Sequence, residues 1–134
     1  MKIHTYMKAG AAALVGALSL SGCMSLITGG DLIREGEPMA RFTFENRSQS
    51  QPFDTILIST CDASSYGLDR LPEGVVIRPG QSWSWDVSAG CYDVMVGNVG
   101  DGSTPGKRIR IPANTRFTLY YTGEGSDPYR QEVR

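Results

Sequence analysis

Histidine is all but missing from this chain. Its single copy is His4, so residues 23–134 contain none. That excludes an imidazole-based catalytic triad and any histidine-ligated metal site from the stretch. Cysteine is nearly as scarce. Cys23, Cys61 and Cys91 are the whole set, and no two stand in Cys-x-x-Cys spacing. A redox pair of the Cys-x-x-Cys kind does not fit that pattern. Lysine is reduced to Lys107 after residue 22, beside ten arginines and fourteen acids, a net charge of −3. A general nucleic-acid binder needs a basic face, so no nucleic-acid partner is expected. Long helices are disfavoured too. No extended 3.6-residue apolar period appears after residue 38, and residues 23–134 carry thirteen glycines and all seven prolines.

What is present begins with a leader. Lys2 and Lys8 open the chain, and residues 9–20 are an uncharged run of Ala, Leu, Val, Gly and Ser. That run is too short to span a bilayer as a helix, which needs about 20 apolar residues. A basic start, a short apolar middle and small residues at the end read as a secretory signal. Leu20-Ser21-Gly22-Cys23 then resembles the bacterial lipobox, a leucine and two small residues before a cysteine. The resemblance implies cleavage after Gly22 and covalent lipid on Cys23, the one modifying group expected. No other cofactor and no metal are expected. Two acyl chains suffice for stable anchoring. Met24, where an aspartate would imply retention in the inner membrane, implies the outer membrane instead. The expected location is therefore the bacterial cell envelope, lipid-anchored and facing the periplasm.

The expected organisation is a signal peptide at 1–22, an anchor and tether at 23–38, a β-sandwich domain at 39–122 and a loose polar tail at 123–134. Gly29, Gly30 and Pro38 punctuate the tether. Leu26-Ile27 and Leu32-Ile33 are apolar pairs within it that suit either a short helix or packing onto the domain. The 112 residues from Cys23 onward make one domain.

The domain reads as all-β, a small antiparallel sandwich of about seven strands. Phe42 and Phe44 alternate with Arg41, Thr43 and Glu45. Further period-2 or β-branched runs lie at 55–60, 75–78, 82–87, 92–96, 107–111 and 116–121. Pro79-Gly80 and Ala89-Gly90 are turn pairs, and a Gly-rich loop covers 97–106. No internal repeat is evident. With Cys23 taken by lipid, Cys61 and Cys91 remain in an oxidising compartment, where they are expected to form one structural disulfide.

Four groups of residues are candidates for function. Trp83 and Trp85 share a strand face with Val87, as core filling or as an aromatic platform for sugar rings. Arg108 and Arg110 share a face and, with Lys107 and Arg116, suggest either a basic patch for phosphates or an acidic partner, or a charge-protected edge. Asn98, Asp101 and Ser103 supply oxygens on a Gly-rich loop, but their spacing does not match a calcium loop. Asp86 and Asp93 stand where a hairpin could pair two carboxylates.

Ile77-Arg78-Pro79-Gly80-Gln81-Ser82 and Gly90-Cys91-Tyr92-Asp93-Val94, with Tyr66-Gly67-Leu68-Asp69-Arg70-Leu71 before them, resemble a pattern in uncharacterised exported β-sandwich proteins. The resemblance implies fold and carries over no active site. The expected function is a non-enzymatic binding or accessory module at the membrane, serving another envelope protein. The alternatives are a glycan- or peptidoglycan-binding module using Trp83 and Trp85, and an inhibitor of a lysozyme or protease.

Overall fold

A computed structural model describes residues 28–134. The expected leader at 1–22, Cys23 and the expected start of the tether lie outside the described residues. Eight strands follow in order: β1 Met39–Asn46, β2 Thr55–Thr60, β3 Ser82–Ser88, β4 Gly90–Asn98, β5 Gly102–Ser103, β6 Lys107–Ile111, β7 Arg116–Tyr121 and β8 Tyr129–Val133. They form two sheets, the all-β sandwich expected from the alternation. The first sheet has the order β3-β1-β7-β8. In the second, β4 is central, with β2 along one side and β6 and β5 in turn along the other.

The inner faces hold the alternating apolar residues. Phe42 and Phe44 of β1, Phe117 and Leu119 of β7, Ile56 and Ile58 of β2, and Tyr92, Val94 and Val96 of β4 are all buried. Each such side chain contributes roughly 1.5–3 kcal/mol by leaving water. Asn46 is a fully buried polar residue among them. The Asn46 amide donates to the carbonyls of Gln51 and Ile77, and its oxygen accepts from the backbone and hydroxyl of Ser48. With every polar atom partnered, its burial carries no desolvation penalty left unanswered.

The chain changes sheets at Ala89, between β3 and β4. Tyr92 supports this crossover: its hydroxyl donates to the Ser88 carbonyl at 2.5 Å. The expected disulfide is formed between Cys61 and Cys91, whose Cα atoms are 5.4 Å apart. It ties the end of β2 to the start of β4.

Four details differ from expectation. The β1–β7 pair is parallel, so the sheets are not wholly antiparallel. The run at 75–78 makes no strand. Pro72 and Pro79 bracket it too closely, and only Ile77 bridges, to Phe53. The expected loose tail at 123–134 contains β8, which pairs with β7 along its whole length. Only Tyr129 of β8 is buried, so an edge strand of charged residues hid its period.

Of the expected tether at 23–38, the described residues 28–38 are also part of the domain. Gly29 and Gly30 are buried, and the Gly29 carbonyl accepts the Thr60 N–H at 2.8 Å. Arg70 donates through Nη2 to the carbonyls of Thr28 and Gly30, both at 2.7 Å. Leu32 packs against the core and its carbonyl accepts the Ser88 N–H. This segment and residues 68–70 together cover the outer edge of β2, which would otherwise invite another strand.

Candidate interaction surface

The two tryptophans share the inner face of β3 but not one environment. Trp85 is half-buried, stacks on Phe42 at 5.7 Å between ring centroids, and donates its indole N–H to the Arg70 carbonyl. Trp83, toward the end of the same strand, is 37% exposed and borders a recess with Val75, Val76, Gly80 and Gln81. A flat aromatic platform needs both rings in solvent, and only Trp83 offers part of one.

The basic residues do not form one patch. Arg108 forks onto Asp93 across the β4–β6 pair, Nε to Oδ1 at 2.9 Å and Nη2 to Oδ2 at 3.0 Å. That carboxylate raises the Arg108 pKa above its ordinary value. Lys107 is paired with Asp127. Arg110 is exposed and makes no ion pair with a described residue. Arg116 lies on the other sheet.

Asp86 and Asp93 are likewise divided between the two sheets, because the chain crosses over at Ala89. Each neutralises an arginine of its own sheet: Asp86 meets Arg41 at 3.0 Å, and Asp93 meets Arg108. They cannot act as a catalytic pair. The 97–106 loop is pinned rather than open. Asn98 donates its amide to the Pro52 carbonyl, the Val99 N–H meets the Asp54 carboxylate, and Thr104 donates to the Val96 carbonyl. Among the described residues, no three His, Cys, Asp or Glu side chains gather closely enough to hold a metal ion.

The strongest grouping is one the spacing arguments missed. The tripeptide Arg-Phe-Thr occurs at 41–43 and again at 116–118. The parallel β1–β7 register places the copies side by side, Arg41 on Arg116, Phe42 on Phe117, Thr43 on Thr118. The phenylalanines enter the core, so the arginines and threonines must face solvent. Arg116 and Arg134 exchange backbone hydrogen bonds at 2.9 Å, which extends the row to the far side of β7. The outer face of the first sheet therefore carries three guanidinium groups in line, above Thr43 and Thr118.

The row is only partly neutralised. Arg41 meets Asp86, and Arg134 pairs with Glu132, while Arg116 forms no ion pair with a described residue. Next to the row, Tyr120 donates its hydroxyl to Glu132, which holds that carboxyl below its ordinary pKa. Arg47 lies over the Tyr120 ring, 3.7 Å from its centroid, and pairs with Glu45. The result is an open recess of about 380 Å³ with fixed charged walls. Guanidinium groups that converge without enough carboxylates suit carboxylate or phosphate oxygens. The repeated tripeptide was the signal in the sequence that could have located it.

No family model matches the chain, and no curated protein matches it. Among solved structures it is similar to the C-terminal domain of AlgF from P. aeruginosa. The two are 15% identical, with 74% of this chain and 97% of that chain covered and a TM-score of 0.38.

Proposed function

We propose that this chain is a lipid-anchored protein of the bacterial cell envelope that binds another envelope protein and catalyses nothing. The lipobox-like Leu20-Ser21-Gly22-Cys23 supports the anchor. The observation that carries the binding role is the Arg41–Arg116–Arg134 row on the outer face of the first sheet. It is broad, solvent-facing and one acid short. An acidic segment of a partner would complete its ion pairs, and the half-buried threonines beneath would accept or donate hydrogen bonds. The recess is built mostly on the paired strands β1, β7 and β8, so the surface is preformed, which reduces the entropy cost of association.

A photoreactive amino acid at Thr118 tests this in cells. The expected result is a discrete protein adduct that disappears with Arg116→Glu and is absent when the probe is placed at Arg110, on the other sheet. Equal labelling from Thr118 and Arg110 would contradict the assignment. Saturable binding to peptidoglycan that is lost with Trp83→Ala would favour the glycan reading instead, through the recess beside Trp83.

A further inference from the structure

We infer that the domain is held with its Thr28 side toward the bilayer, by a leash of only five links from Cys23, with Leu68 at the lipid surface. The inference rests on the reading of Cys23 as the lipid-bearing residue.

Residues 28–34 belong to the folded domain. The Arg70 guanidinium is the reason the chain cannot lift away there. It donates to the carbonyls of Thr28, Gly30 and Ile58, joining the N-terminal segment to β2. Gly67 permits the contact: a Cβ at that position would lie 2.1 Å from the Thr28 carbonyl oxygen. Five links separate Cys23 from the docked Thr28. Whatever conformation those five links adopt, they span at most about 18 Å.

That length decides the orientation. A domain of this size is about 34 Å across, from its expected radius of gyration. With Thr28 turned away from the bilayer, the leash would have to cross the whole domain, and it reaches only half that distance. Thr28 must therefore lie in the half of the domain nearer the membrane. The far end of β4, where Val99 is 82% exposed, must then point away from it.

The surface beside Thr28 fits that position. Leu68 follows Gly67 directly and is 57% exposed. It is not on a floppy loop: the Asp69 carboxylate accepts the N–H groups of Ile56 and Leu71, and fixes the turn that presents it. Ile33, on the docked segment itself, is 59% exposed. Asp31 and Asp62 lie on the same side, where they border one recess with Arg34, so the surface is not a basic one drawn to anionic headgroups. Two apolar side chains are too few to hold a protein on a membrane alone. The lipid supplies the attachment and the short leash supplies the orientation, with the arginine row at the same end of the sandwich but on the outer face of the other sheet.

The test uses the full chain, processed in cells. Photoreactive amino acids are placed singly at Leu68 and at Val99, and lipid adducts are read by mass after illumination. Lipid adducts at Leu68 and none at Val99 are expected. A flexible Gly-Ser insertion after Met24 should abolish the difference. Intact mass of the same samples reports whether Cys23 carries lipid. A lipidated chain with equal adducts at Leu68 and Val99 would overturn the orientation alone. A chain without lipid at Cys23 would overturn the anchor reading and the orientation with it.

Discussion

Arg41 and Arg116 stand directly opposite each other in the parallel β1–β7 pair, each at the head of an Arg-Phe-Thr tripeptide. Like charges in such positions oppose folding by a few tenths of a kcal/mol or more. The fold gains no ion pair from the Arg116 side chain, which has no acidic partner among the described residues. Arg116→Ser should therefore leave the melting temperature unchanged or raise it, while abolishing the Thr118 adduct. A loss of stability of about 2 kcal/mol would mean that Arg116 serves packing instead.

Arg70 predicts the opposite behaviour. Its removal leaves the carbonyls of Thr28, Gly30 and Ile58 without their shared donor. Burial lowers its pKa from the ordinary arginine value, opposed by the Asp31 charge, yet an arginine stays protonated under all ordinary conditions. Arg70→Ala should cost about 2–4 kcal/mol and expose residues 28–34 to hydrogen exchange. Arg70→Lys should recover only part of this, because an ammonium cannot span several carbonyls as the planar fork does. Unchanged exchange at 28–34 in either variant would separate Arg70 from the docking of that segment.

The Cys61–Cys91 bond closes a loop with a sequence separation of 30. In the chain-entropy model its loss costs about 3–4 kcal/mol. Denaturant unfolding of Cys61→Ala/Cys91→Ala should show a midpoint lowered to match. A thiol count on the denatured, unreduced protein should find neither residue free.

Tyr129 makes stability fall in alkali. Its hydroxyl lies 2.8 Å from both the Thr104 hydroxyl and the Pro105 carbonyl, and burial pushes its pKa from 10.0 up to about 12. The folded state thus keeps a proton that the unfolded chain releases above pH 10. The Tyr129 contribution is complete below pH 10 and is lost as pH rises from 10 to about 12. Tyr129→Phe should flatten this part of the stability profile relative to the native chain. An equally steep decline in the variant would assign the effect elsewhere.

The two tryptophans should separate cleanly. Trp85→Ala removes a ring stacked on Phe42 and should cost about 3 kcal/mol, whereas Trp83→Ala should cost less than about 1 kcal/mol. Acrylamide should quench the emission of Trp83 readily and that of Trp85 poorly. Equal protection of both would contradict the exposure of Trp83.

Strands whose two faces differ in polarity were legible in the sequence. Phe42 and Phe44 located β1, and the two spare cysteines located the disulfide. Elements secured by backbone and by single side chains were not. Residues 28–34 show no period because Arg70 and Thr60 bind their carbonyls, not their side chains. β8 was hidden because Tyr129 alone points clearly inward. The arginine row depends on register between strands 75 residues apart, which alternation along one strand cannot reveal. The matching tripeptides carried that information, since two strands with equal patterns can lie in parallel register with both faces matched. Asp86 and Asp93 failed as a pair for a related reason: Ala89-Gly90 reads as a hairpin turn but carries the chain from one sheet to the other.

The proposed anchoring through Cys23 underlies both the proposed envelope location and the proposed orientation on the bilayer, and intact mass of the chain extracted from membranes tests it most directly. The predicted species begins at Cys23 and carries a diacylglyceryl group with or without a further acyl chain. A species that retains the leader, starts elsewhere, or has an unmodified Cys23 would contradict it.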